Sequence, residues 1–305
     1  MDSTDIKELK RQQRINSGLD LIGKTLISTG VLLLLFVAYQ LWGTGLAERQ
    51  AQNTLKSQFI TSATVATPVT DAPTTTTLPP PPTKGDVVAQ IIIDKINVDK
   101  FVIAGVGYKE LEKGPGLFAG SPLPGQLGNV AIAGHRTTFG APFSRVNELV
   151  EGDRIVMQTS RGEFVYLVTG APKIVKATDV DVIRTVDPAR AILTLVTCHP
   201  KWTSENRMII SAELIDEIVP QTPTVFVADA KEPEAVLTEG WFHDPSAWPM
   251  VILFAFLLIV IAGVSRWWAG KKWRAVIVYP VAAVVFLPTL FVFFGYLTRL
   301  LPTNL

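Results

Sequence analysis

The hydrophobic positions of the chain change period three times. From Thr25 to Trp42 the sequence TLISTGVLLLLFVAYQLW is predominantly apolar and carries no charge. As a helix it would be about 27 Å long at 1.5 Å per residue, close to the thickness of a bilayer's hydrocarbon core. From Val87 onward the pattern turns into short runs rich in Val and Ile, separated by Gly and Pro clusters. These are 87–93, 101–103, 129–134, 154–157, 163–168, 174–175, 191–197 and 208–214. Such runs read as β-strands, and so many at this spacing predict a sandwich or a closed barrel. The Gly-rich stretch 114–128 reads as a loop leading into the 129–134 strand. Two further membrane-length runs, Ala247–Val264 and Ala275–Leu297, end the pattern.

The pattern sets domain boundaries. A cytoplasmic tail covers 1–24 and a first membrane helix 25–42. A stalk, helical or loose, and a Pro/Thr-rich linker cover 43–84, with TPVTDAPTTTTLPPPPTKG at 67–85 too poor in apolar side chains to fold and stiffened by four prolines. The β-domain occupies 85–228 and a polar tether 229–246. The second and third membrane helices occupy 247–265 and 275–297, joined by a loop at 266–274, and a short extracellular tail covers 298–305. A cleaved signal peptide competes for the first apolar run, with Gly45-Leu46-Ala47 as a poor cleavage site. The length of the run and Trp42 favour a retained anchor. Lys7, Lys10, Arg11 and Arg14 before the first helix, and Arg266, Lys271, Lys272 and Arg274 with three tryptophans in the last loop, are basic flanks. The positive-inside rule puts both in the cytoplasm and the β-domain outside the cell.

Composition changes this picture little. The 305 residues are 48% hydrophobic and 18% charged, with a net charge of +1. No basic cluster lies on the β-domain, which argues against nucleic acid. A single cysteine excludes an intramolecular disulfide. Cys198-His199 lacks the paired spacing of a zinc site. Glu148, Glu151 and Asp153 read as a solvated turn rather than calcium ligands. Neither a metal nor a cofactor is expected. Gly105-Val106-Gly107 is a fragment without the remainder of a nucleotide fingerprint.

The candidate chemistry sits where strands meet loops. The run 191–197 leads to Cys198, and after a turn-like stretch Arg207 stands at the mouth of the next run. The run 129–134 ends on His135. A base, a thiol and a fixed positive charge are the parts that nucleophilic acyl transfer requires. His199 neighbours Cys198 in sequence, but adjacent side chains of a strand point to opposite faces, so His135 is the favoured partner. His243 reads as interfacial. Thr197 is a candidate substrate contact, or a plain β-branched strand residue.

TLVTC at 194–198, Arg207 nine residues later and AGHR at 133–136 upstream together resemble the sortases, cysteine transpeptidases of Gram-positive cell surfaces, over roughly 87–214. The wording TLVTCHP and AGHRTTFGAPF is most similar to the class E group of actinobacteria. The resemblance implies an all-β closed barrel of about eight strands, here carried with one N-terminal and two C-terminal transmembrane helices. It implies Cys198 as nucleophile, His135 as acid/base and Arg207 as oxyanion and substrate contact. It also implies cleavage of a Leu-Pro-X-Thr-Gly or Leu-Ala-X-Thr-Gly signal after Thr. The implied partners are surface or pilin proteins bearing that signal, membrane lipid, and an acceptor amine on a peptidoglycan precursor (lipid II) or a pilin lysine. Two alternatives stand beside this reading. One is a pilin-polymerising sortase, whose usual Asp-Pro-aromatic lid is missing before Val87. The other is a catalytically silent module that binds sorting signals.

Overall fold

The structure is a computed structural model that describes residues 3–65, 81–203, 205–215, 225, 244–270 and 272–301. Most of the expected linker, most of the tether, His243, Lys271 and the last residues of the tail lie outside these. The chain divides into two units, Met1–Gly43 and Thr44–Leu305.

The first unit is helix α1, Ser3–Ala38, followed by a π-helical turn at Tyr39–Gly43. Leu26, Leu33 and Leu34 on α1 are all exposed. A helical segment as apolar as the C-terminal part of α1, with such side chains exposed, suits a lipid surround rather than water.

The second unit opens with helix α2, Thr44–Val65. Among the described residues nine strands follow: β1 Val87–Ile93, β2 Val98–Ala104, β3 Gly116–Leu117, β4 Gly128–Ala133, β5 Arg154–Thr159, β6 Gly162–Val168, β7 Lys173–Lys176, β8 Ala191–His199 and β9 Asn206–Leu214. A one-turn helix α3, Tyr108–Leu111, lies between β2 and β3. The hydrogen-bonded order β6-β5-β1-β2-β3-β4-β8-β9 returns to β6 through the pairs Tyr166↔Leu214 and Val168↔Ala212. The result is a closed eight-stranded barrel, the fold class expected. Closure leaves no long unpaired edge.

β7 stands outside the ring, on the half of β9 that β6 does not reach, pairing Val175 with Arg207 and Ile174 with Met208. The edge of β9 is therefore shared between two strands, β7 at its start and β6 at its end.

The stretch read from sequence as a plain loop, 114–128, contains β3, which pairs parallel to β2 and antiparallel to β4. Two residues suffice to close the ring there. The backbones meet so tightly that a Cβ on Gly116 would overlap the Gly105 carbonyl oxygen. So short a strand carries no periodicity to read.

Inside the barrel, Ile91, Ile93, Val130, Ile132, Ile155, Met157, Tyr166, Leu193, Leu195 and Ile210 form the main core. The alternate positions point outward. Ala131 and Ala133 of β4, Val196 and Cys198 of β8 and Ile209 of β9 form a second buried cluster, which Val106, Phe118 and Ile183 complete from the surrounding loops. The sulfur thus lies on the outer face of the wall, beneath a cover of loops.

Two long helices end the chain, α4 Trp248–Trp268 and α5 Lys272–Arg299. They pack along each other, with Phe254 stacked on Tyr296 at 5.6 Å between ring centroids. Among the described residues, three stretches are helical, long and apolar enough to cross a membrane: Asn16–Thr61, Pro245–Trp268 and Arg274–Arg299.

Candidate active site

Strand alternation decides which side chains share a face. On β8, Val196 and Cys198 point outward, and on β9, Arg207 and Ile209 do so. Cys198 and Arg207 stand directly opposite each other across the antiparallel pair. Arg207 Nη1 lies 3.7 Å from Cys198 Sγ and also donates to the Asn206 carbonyl at 3.2 Å. Arg207 is within β9 rather than before it, because the strand begins at Asn206.

β4 runs parallel to β8 on the other side, with Ala133 beside Val196. The pairing continues one step past the strand, where Gly134 N donates to the Val196 carbonyl at 3.1 Å. His135 follows two residues after Ala133, just past the end of the strand beside that of Cys198. Cys198 and Arg207 share one face, and all three sequence-predicted residues are buried.

Thr197, the candidate substrate contact, alternates with Cys198 along β8. It shares the parity of Leu193 and Leu195, away from the sulfur, and its hydroxyl donates to the Gly134 carbonyl at 2.7 Å. The hydroxyl is spent on joining the His135 strand to the Cys198 strand. His199 has the same parity as Thr197, as the alternation argument required.

Sequence reasoning missed Arg136. Its side chain is buried, and Nη1 donates to the Cys198 carbonyl at 3.0 Å and lies 3.2 Å from His199 Nδ1. Nη2 donates to Asn147 Oδ1 at 3.0 Å. Arg136 thereby ties the backbone of the thiol to the loop after His135 and puts a second cation near the sulfur. Its position beside His135 was the one available hint; nothing in the sequence singled out Asn147. Phe139 was missed as well, its ring lying 5.0 Å from that of His135.

Burial pushes the Cys198 thiol up to about 11, against the opposing pull of Arg207 and then Arg136. Arg136 in turn falls below the usual arginine range, chiefly through burial and despite the nearby sulfur. At neutral pH the resting sulfur therefore holds its proton, and attack requires a base to remove it. The turn at 148–153 is held by ion pairs: Arg145 with Glu148 at 2.6 Å and Lys95 with Asp153 at 2.6 Å. Among the described residues, no group of three or more His, Cys, Asp and Glu is placed to hold a metal ion.

The sequence model of the family described as sortase domain matches residues 91–215. Among curated proteins, the chain is 33% identical over 215 residues to sortase SrtE1 of Streptomyces coelicolor, covering 64% of this chain and 57% of that one. It is 34% identical over 119 residues to sortase D of Bacillus subtilis, covering 39% and 58%. The aligned parts thus span less than two thirds of either relative. Among solved structures, sortase E of Streptomyces avermitilis is 35% identical, covering 44% of this chain and 91% of that one, with a TM-score of 0.39.

Proposed function

Given that the chain belongs to the sortase family, we propose that it is a membrane-held cysteine transpeptidase that joins surface proteins to an amine of the cell wall. The supporting observation is the cross-strand pair: a buried thiol with an arginine Nη1 at 3.7 Å, beside the strand that leads to His135.

The substrate is a C-terminal sorting signal of the Leu-Pro-X-Thr-Gly or Leu-Ala-X-Thr-Gly kind. His135 takes the proton from Cys198, and the thiolate adds to the carbonyl carbon of the Thr. The developing oxyanion faces the guanidinium of Arg207, whose donors are fixed before the reaction begins. On collapse of the adduct the C–N bond breaks and His135 protonates the departing glycine amine. A thioester to Cys198 remains. An acceptor amine of a peptidoglycan precursor then gives its proton to His135 and attacks the thioester, forming the new amide and freeing the sulfur. Arg136 and Thr197 hold the Cys198 and His135 backbones beside each other. Outside the membrane, the β-domain would meet both the signal and the precursor.

The test is to incubate the full-length chain in detergent with each signal peptide and look by mass spectrometry for a thioester on Cys198, followed by transfer to an added amine. Adduct and transfer by the wild type, both lost in Cys198→Ala, support the reading. Identical retention and release of peptide by the two proteins leaves only a binding module.

A further inference from the structure

Helix α2 meets the loop that carries His135. Its buried face is Thr44, Glu48, Gln52, Leu55 and Phe59, one residue per turn. The lower part docks on the barrel. Gln52 accepts from Phe101 N at 2.7 Å and donates to the Phe101 carbonyl at 3.1 Å. Leu55 packs with Phe101 and Ile103. The upper part reaches the loop, where Phe139 N donates to Thr44 Oγ1 at 3.2 Å. Glu48, paired with Lys100 at 2.6 Å, puts its Oε2 at 2.5 Å from where a Cβ on Gly140 would stand.

The loop is wound left-handed at that contact, with φ of 49° at Phe139, 72° at Gly140 and 42° at Ala141. Such a conformation is unfavourable for Phe and Ala and persists only where the surroundings enforce it. One consequence is that the Phe139 ring is seated on His135 and meets Tyr108 edge-on at 6.2 Å. Tyr108 lies 5.8 Å from the guanidinium of Arg299, in the last turn of α5, and Arg299 is 3.8 Å from Glu112. The helices at both ends of the second unit thus converge on the loop of the acid/base candidate.

We propose that helix α2 is a positioning element of the active site, Thr44 and Glu48 holding the 139–141 turn in the form in which Phe139 fixes the imidazole of His135. The proposal rests on the reading of His135 as the acid/base. Loss of the Thr44 acceptor frees the Phe139 amide, lets the turn relax and uncouples the ring from His135. Substrate contacts on β8 and β9 are untouched.

The experiment uses the full-length chain in detergent, as wild type, Thr44→Val, Thr44→Ser and Phe139→Leu. His135 modification by diethyl pyrocarbonate is followed by mass spectrometry, and acyl transfer is followed in parallel. In Thr44→Val we expect His135 to react about tenfold faster, as local opening becomes easier. We also expect kcat to fall about tenfold to a hundredfold at unchanged KM. Thr44→Ser returns both to wild type, and Phe139→Leu reproduces the loss from the other side of the contact. Equal His135 reactivity in wild type, Thr44→Val and Phe139→Leu overturns the proposal, whatever the turnover. A wild type that forms no thioester removes the transpeptidase reading instead, while His135 reactivity still decides whether α2 holds the loop.

Discussion

Cys198 is enclosed by the barrel wall, the loops over it and two arginines, and its chemistry follows from that enclosure. With the thiol raised to about 11 by burial, the thiolate fraction at neutral pH is small and grows about tenfold for each pH unit. Alkylation of Cys198 by iodoacetamide should therefore keep rising steeply above about pH 9, where an ordinary thiol of pKa about 8.5 has levelled off. The same shift bears on stability. The native state keeps the proton between 9.0 and about 11, where the unfolded chain has already lost it, so stability falls as pH rises through that window. The slope is about 1.4 kcal/mol per pH unit. Comparing urea midpoints of wild type and Cys198→Ala on either side of about pH 9 isolates this contribution. For Arg207, replacement by Lys keeps the charge and removes the fork of donors. The expected loss in kcat is about 10²–10³, read in steady-state kinetics. The places of Cys198 at the exit of one strand and Arg207 at the mouth of the next made their meeting legible in the sequence. Arg136 was hidden because its role depends on where the loop after β4 folds back, and local sequence does not state that.

Helix α2 shows what a polar stripe conceals. Its buried face begins Thr44, Glu48, Gln52, and no hydrophobic period marks it, so the stretch read as a helix or a loose stalk. The contacts belong to a docked element. Gln52 acts there as a short substitute for a neighbouring strand, serving the Phe101 amide and carbonyl and the Lys113 carbonyl, the last at 2.8 Å. Replacing Gln52 with Ala strands a buried backbone donor and two acceptors, each costing about 1–3 kcal/mol if water does not reach it. Thermal unfolding of the full chain should show a drop in midpoint. A Leu at the same position should not rescue it, since bulk is not what is missing. The longer strands, in contrast, were visible as runs of Val and Ile, some alternating as β1 does and others, like β4, buried on both faces. β3 was not, since its two residues are set by closure of the ring and by the absence of a side chain on Gly116.

At the scale of the whole molecule, the apolar runs announced the three candidate spans, while the strand spacing left sandwich and closed barrel open and the resemblance implied the barrel. The basic flanks add an orientation that can be measured. A Cys198→Ala chain carrying Val186→Cys, at a site 86% exposed on the β-domain, should react with an impermeant maleimide on intact cells. A chain carrying Gly270→Cys, in the turn after α4, should react only once the membrane is opened. The reverse labelling would invert the assigned topology. The exchange of neighbours along β9 has a separate consequence. Because β6 seals the cylinder at one end of that strand, β7 and the segment running from it to β8 are free to lengthen, shorten or change sequence without breaching the cylinder. That segment supplies Ile183 to the cover over the sulfur, so the wall a peptide would meet can be remodelled over evolutionary time while the scaffold that aims the reacting groups stays as it is.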